Sequence, residues 1–518
     1  MSKPALAGPS LRRRLCFVAL LTMALSACGG GGGGTASDTG TSSGGSSGGV
    51  SGGSSGGSTG GTSGTSTGGS TGGSGGASGG TSGGSSGGSS GGGSGGGSGG
   101  SSGGDSGGSS GGSPVACNSS RWVTAWQAPP TDATTTADPG LRPLTVGANQ
   151  SYRLIFTALG HGSTARVHLS NRFGLAPIVF SGVRLAHRSS GAAIDATTSV
   201  ALTFNGAANV TLQVGEDVIS DPVSFVFNEF DDLAVSIAAI NPGIVPTLHF
   251  VARQTSYVTA PGAGDHSADV SGSAYTQSTT SRPFVVGFDT LASGATSAVV
   301  AFGDSLTDGF QGPPQGLPEN TATVNRNERY PDFLAHRLVT ASRTLFVANA
   351  GITGNRVREN GSVPAYGPSA LSRVDSDVLA QAGVSDVILF EGINDIGQTV
   401  GLSASQLTDA YTQLIASLHG AGLHVVQATL TPSGGNAQAG YSSTNASTLR
   451  QEVNSWIRTQ SPADAVVDFD AAVRDSSNPN LLAAQYDGGD GLHLNASGYQ
   501  KLAATVDLNS LQGSNCTP

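Results

Sequence analysis

The sequence predicts two consecutive domains of different class behind a disordered tract: an all-β, sandwich-like domain, then a three-layer α/β domain built on a parallel sheet. Three observations carry that prediction. Of 82 glycines in 518 residues, 44 fall between Gly29 and Gly112, among Ser and Thr; such a tract has too little apolar surface to offset its ordering entropy. Between Trp122 and Leu291, short alternating apolar runs are broken by Gly, Asn, Asp and Pro. From Ser297 the rhythm becomes strand, loop, helix. The expected boundaries are a signal segment at 1–28, a Gly/Ser linker at 29–116, a β-rich accessory domain at 117–294 and an α/β domain at 295–518.

The leading segment reads as an address. Arg12-Arg13-Arg14 is a positive region, and the apolar run from Leu15 to Ala27 is too short to span a bilayer. It closes in Leu25-Ser26-Ala27-Cys28, which resembles the lipobox of bacterial lipoproteins. That resemblance implies lipidation of Cys28, export, and a body held at the cell surface or outer membrane by its lipid alone. A Gly-rich coil of this length has a root-mean-square span of about 50 Å, a reach but not a fixed placement. Gly64-Thr65-Ser66-Thr67-Gly68 matches a nucleophile-elbow pattern, but no strand or helix pattern flanks it. Cys117 and Cys516, at opposite ends of the body, remain after Cys16 and Cys28 are set aside. In an exported protein such a pair is expected to form a disulfide.

Charge narrows the partners. Beyond the signal and the linker the body holds 20 basic against 32 acidic residues, which argues against nucleic acid, since phosphate binding needs a basic face. With no C-x-x-C or H-E-x-x-H pattern in the sequence, no metal site and no cofactor is expected.

In the β-rich region the first strand starts at Trp122. Tyr152–Phe156, Ala165–Leu169 and Asn209–Val214 alternate at period two, and Val200–Phe204, Leu233–Ile240, Leu248–Arg253 and Phe284–Leu291 are further strands. In the α/β region the expected strands are Ser297–Phe302, Thr344–Asn349, Asp386–Phe390, His424–Thr429 and Ala465–Phe469. Helical periods cover Pro331–Ala341, Ser369–Ala382, Ser405–Leu418, Thr448–Thr459 and Ala496–Val506. Alternating β and α units imply a parallel sheet, with ligands bound beyond the carboxyl ends of its strands.

That edge is where the chemical residues fall. Gly303-Asp304-Ser305-Leu306-Thr307-Asp308-Gly309 follows the first parallel strand and puts a serine on a tight turn. Asp490-Gly491-Leu492-His493 precedes the last helix; an Asp three residues before a His can orient the imidazole and stabilise the imidazolium. The loops Asn349-Ala350-Gly351-Ile352-Thr353-Gly354-Asn355-Arg356 and Glu391-Gly392-Ile393-Asn394-Asp395 leave the same edge. Their glycine N–H groups and Asn amide suit a developing oxyanion.

These four blocks, in this order, resemble the SGNH (GDSL) hydrolases over about Ala298 to Leu508. The resemblance implies a flavodoxin-like five-stranded sheet and ester hydrolysis through an acyl-enzyme. Carried over by position, Ser305 is the nucleophile and, by its N–H, an oxyanion donor. Gly354 is the second donor, with Gly351 the alternative, and Asn394 the third. His493 is the base and Asp490 its partner. The β-rich region resembles the module that precedes this domain in a subgroup of secreted SGNH esterases.

The blander readings stand beside these. His168 and His249 sit in β patterns and read as structural, and His336, His419 and His424 lack a carboxylate at triad spacing. Asp304 and Asp395 read as braces for their loops. Arg356 and Arg358 are either substrate contacts or structural ion pairs, and Glu391 is equally open. Trp122 and Trp126 offer a sugar-stacking face or core packing. The expected substrate is an ester, polymeric such as acetylated polysaccharide, or short-chain. A lysophospholipase-type lipid hydrolase and a non-catalytic carbohydrate-binding lipoprotein are the alternatives.

Overall fold

The parallel strands have the register that their apolar runs require. Ser297–Gly303 is buried along its whole length, as a strand covered on both faces must be. It pairs in parallel with Leu345–Gly351 on one side and with Val384–Phe390 on the other. His424–Ala428 and Ala465–Val467 extend the sheet beyond Val384–Phe390. In chain order the strands run 2-1-3-4-5, the flavodoxin-like order. The computed structural model describes residues 116–132, 147–240, 245–312 and 321–518. The signal segment, Cys28 and nearly all of the Gly/Ser tract lie outside the described residues. Among the described residues, no helix is long and apolar enough to cross a membrane.

Helices cover both faces of this sheet. Tyr330–Thr340 and Ala496–Thr505 pack together on one side, with Tyr330, Leu334, Leu338, Tyr499 and Leu502 in a shared apolar cluster. Ala404–Gly420 and Thr444–Gln460 cover the other through Leu414, Leu418, Val453 and Ile457. Ser403 caps the first of that pair through the Gln406 N–H, with Gln406 returning the bond. The segment expected as one helix over Ser369–Ala382 is a short α-turn, Ala370–Val374, that widens into a π-turn over Asp375–Leu379.

The preceding region is a sandwich of two antiparallel sheets. One joins Ser120–Gln127, Val285–Ser293 and Gly162–Ser170, with Asp217–Ile219 and Val223–Phe227 at its edge. The other centres on Gln150–Thr157, Asp232–Ala239 and Ile178–Ser190. Phe156, Phe180, Phe284 and Phe288 fill the space between them. Trp126 belongs to that core: it is 8% exposed, 4.6 Å from the Phe156 ring and beneath the Arg282 guanidinium. It is therefore not a sugar-stacking face.

The expected strand Leu248–Arg253 shrinks to Leu248–His249, and the chain beyond turns toward the α/β domain. The 13-residue strand Ile178–Ser190 was not expected. Its ladder with Asp232–Ala239 carries a one-residue irregularity at Gly182. A Cβ on Gly182 would lie 2.6 Å from the Ser267 hydroxyl, so a loop lies against the strand there.

The described residues all fall in one compact unit. Ala298 and Phe346 of the parallel sheet pack into the sandwich core, and Leu159 of the sandwich packs into the α/β core. Thr124 N–H donates to Ala382 O at 2.9 Å, and Gln127 Nε2 to Asp377 O at 2.9 Å. A disulfide joins Cys117 to Cys516, whose Cα atoms are 5.0 Å apart.

Candidate active site

Three strand ends converge on one cavity. Gly303 ends the first parallel strand, Asp304 caps a single turn over Ser305–Asp308 by accepting the Leu306 N–H, and Ser305 begins that turn. Ser305 Oγ lies 2.9 Å from His493 Nε2. His493 Nδ1 lies 2.7 Å from Asp490 Oδ2. Asp490 Oδ1 accepts the backbone N–H groups of Leu492 and His493 at 3.0 and 2.8 Å. Burial opposes the charge on Asp490, but the His493 ring and these two N–H groups outweigh it and hold its carboxyl below the usual range. The Phe310 ring packs on the imidazole at 4.6 Å between centroids.

The two other loops arrive beside Ser305. Gly354 has φ +80°, and an added Cβ would sit 2.4 Å from the Tyr366 ring, so glycine is required there. Gly351 is used differently. Its N–H is taken by Asn349 Oδ1 at 2.9 Å, and it packs on the Asp308 backbone. Gly354 lines the cavity and Gly351 does not.

Asn394 lies in the first turn of Ile393–Gln398, after Gly392 at φ +128°. Its Oδ1 accepts from Tyr441 Oη at 2.8 Å and from Gln398 Nε2 at 3.2 Å. Its Nδ2 donates to Asn355 O at 2.9 Å. The carbonyl is therefore occupied from behind, which fixes the amide with its NH2 on the opposite side and one further hydrogen to give.

Beneath these loops lies a layer of buried charge. Arg373, 2% exposed, donates to Gly303 O and Ala350 O, at 2.9 and 2.8 Å, and to Asn355 Oδ1 at 2.8 Å. It pairs with Glu391 and Asp377, each at 3.3 Å. Asp395 accepts the Val357 and Arg358 N–H groups at 2.7 and 3.1 Å, tying the two loops together. Burial pushes Asp304 up to about 7, Glu391 to about 8 and Asp395 to about 6. Arg356 pairs with Glu359 at 3.4 Å and donates to Asn360 O, so its role is structural.

The cavity has a volume of about 270 Å³ and is lined by Ser305, Gly354, Asn394, Asp490 and His493. Gln398, Asn436, Gln438 and Tyr441 line it as well. One wall comes from the sandwich: Thr131, His249, Phe250 and Val251. That wall was missed in sequence. The Leu248–Arg253 run reads as a strand, and nothing local in it marks a cavity. Among the described residues, no cluster of His, Cys, Asp and Glu is arranged to hold a metal ion.

Residues 301–501 match the model of the GDSL-like lipase/acylhydrolase family. The parallel-sheet domain is a domain of that family. Its class is that of carboxylic ester hydrolases.

Solved structures include similar chains. Est24, a carbohydrate acetylesterase from Sinorhizobium meliloti, is 16% identical; the match covers 40% of this chain and 95% of that one, with a TM-score of 0.32. The aryl esterase of M. smegmatis is 17% identical over 40% of this chain and 95% of its own, with a TM-score of 0.32. A family two carbohydrate esterase from Clostridium thermocellum is 14% identical over 73% of this chain and 96% of its own, with a TM-score of 0.30. No curated protein matches the chain.

Proposed function

We propose that the protein is a serine-dependent hydrolase of acetyl or other short-chain esters, acting through an acyl-enzyme, with acylated extracellular polysaccharide as its substrate class. The observation that carries this reading is the hydrogen-bonded chain from Asp490 through His493 to Ser305, opening into the cavity that Gly354 and Asn394 also line. Ser305 Oγ attacks the ester carbonyl carbon while its proton passes to His493 Nε2. Asp490 stabilises the resulting imidazolium. The oxyanion is held by the N–H groups of Ser305 and Gly354 and by the Asn394 amide. Collapse of the tetrahedral intermediate expels the alcohol, which takes the proton from His493. Water then hydrolyses the acyl-enzyme by the same route.

Cavity size supports a small acyl group. About 270 Å³ sits at the lower edge of the roughly 300–1,000 Å³ typical of small-molecule sites. The amides of Gln398, Asn436 and Gln438 suit a hydroxylated alcohol portion. Phe250, Val251, Phe310 and Ala365 give the cavity an apolar side, which favours a second reading, a lipid acyl hydrolase.

Hydrolysis of p-nitrophenyl esters from acetate to palmitate, by the full chain and by Ser305→Ala, tests both. An acetate or butyrate optimum that vanishes in the variant is expected; a palmitate optimum would favour the lipid reading. Folded protein with no Ser305-dependent hydrolysis would leave the non-catalytic binding lipoprotein.

We further propose export and lipid anchoring at Cys28. The Cys117–Cys516 disulfide supports an oxidising compartment. A mature chain that begins beyond Cys28, by intact mass, would sink the anchor.

A further inference from the structure

A second buried chain of polar contacts ends at the same cavity, and it starts in the sandwich. Leu248–His249 pairs antiparallel with Arg282–Pro283, His249 opposite Arg282. On its other edge Thr131 N–H donates to Leu248 O at 2.8 Å, and Leu248 N–H returns to Thr131 O at 3.3 Å. The backbone of this two-residue strand is thus held from both sides. The His249 ring is 5% exposed. Its Nδ1 lies 2.9 Å from Pro129 O and its Nε2 lies 3.1 Å from Asp308 Oδ1. Both nitrogens face acceptor oxygens.

Asp308 passes the contact on. It ends the turn that Ser305 begins, and its Oδ2 accepts both the N–H and the hydroxyl of Thr353, at 3.1 and 2.7 Å. Thr353 directly precedes Gly354. Arg329 closes the arrangement by donating from Nε to Asp308 O at 3.0 Å and from its terminal nitrogen to Ala252 O at 2.6 Å. Burial works against the Asp308 charge, but His249, Thr353 and Arg329 outweigh it and hold the carboxyl below its ordinary range. The Gly354 N–H belongs to the central peptide of a turn that Asn355 N–H closes on Ile352 O at 3.1 Å; the Thr353 bonds to Asp308 tie that turn to the Ser305 turn, and the Tyr366 ring lies against Gly354.

We propose that His249, supplied by the accessory domain, is a positioning residue for ester hydrolysis: acting through Asp308 and Thr353, it holds the Gly354 N–H where the oxyanion develops. The inference rests on the acyl-enzyme reading. It gives the sandwich a part in the chemistry as well as in the shape of the cleft. A histidine that merely satisfies the core would contribute stability and leave turnover alone.

The experiment compares kcat, KM and Tm on p-nitrophenyl acetate for the full chain and for His249→Ala, His249→Gln, Thr353→Val and the double variant His249→Ala/Thr353→Val. A misplaced oxyanion donor should lower kcat by about 10- to 100-fold in His249→Ala, with KM changed by less than about threefold. His249→Gln, which keeps an amide donor toward Asp308, should recover most of that loss. Thr353→Val, which removes the hydroxyl that Asp308 accepts, should lower kcat in the same way. The double variant should lose less than the product of the two single effects, because they break one chain. A lowered Tm with unchanged kcat in His249→Ala, a change confined to KM, or independent losses in the double variant would each overturn the proposal. Failure of the esterase reading itself would appear separately, as an unsubstituted, folded chain with no hydrolysis that Ser305→Ala abolishes.

Discussion

The floor of the cleft and its sandwich-built wall are held by different means. On the floor, Ser305 and Asn394 each follow a parallel strand by a few residues, and their loops are tied to the sheet by Asp304, Asp395 and Arg373. Every one of those bonds lies within the α/β domain. The wall residues Thr131 and His249–Val251 belong to a sandwich whose regular structure at that point is a two-residue strand. Their place depends on two domains sharing a core across Ala298, Phe346 and Leu159. The difference teaches a division of labour. Reactive geometry sits where the backbone is most constrained, and the wall shapes the cleft while touching that geometry at one point, through His249 and Asp308.

That comparison sharpens if floor and wall fail differently when cut. The largest effect is expected on the floor. Asn394→Ala removes a fixed amide from the oxyanion side and should lower kcat by roughly 100- to 1,000-fold with little change in KM. Comparable losses in kcat and affinity would mean that Asn394 holds the ground-state substrate instead. On the wall, Phe250→Ala should lower kcat/KM by about 10-fold for esters large enough to reach it, and much less for acetate. Equal losses on all chain lengths would erase the distinction between wall and floor.

The smallest effect concerns the charge under the floor. Burial pushes the Glu391 carboxyl up to about 8, against about 4.3 in an unfolded chain. The folded protein therefore keeps a proton that the unfolded chain releases from about pH 4 upward. This group's contribution to stability is full below pH 4 and is lost as pH climbs through 8. Asp304 and Asp395 shift the same way, whereas the lowered carboxyls Asp490 and Asp308 matter at the acid end. Melting temperature should thus fall between pH 5 and 9, and fall less steeply in Glu391→Gln. An unchanged slope would show that Glu391 is ionised throughout that range.

What could be read in sequence follows the same division. The five parallel strands are legible because burial on both faces leaves apolar runs with sharp ends. Ser305 and His493 are 188 positions apart, yet each sits in a local pattern that names its chemistry. His249 and Asp308 are only 59 positions apart and carry no such signature. A histidine in an alternating run looks like any half-buried histidine until the fold turns that run toward a carboxylate. Asp308 was in view inside the Gly-Asp-Ser block, but the structure alone gives it Thr353 to hold. Ile178–Ser190 was hidden for a simpler reason. It carries Gly182 in its middle, where a loop lies against the strand.

The disulfide has a mechanical consequence. Ala116 and Thr517 lie side by side as a parallel bridge, with Cys117 bonded to Cys516 just inside it. Tension drawn through the chain before Ala116 reaches this covalent clasp before it reaches Ser120–Gln127. A share of the load passes directly into the C-terminal segment, where Gln512 and Gly513 donate to Asp386 in the parallel sheet. Any pull on that segment would then be borne by both domains at once, and the first strand of the sandwich would not be unzipped from its edge.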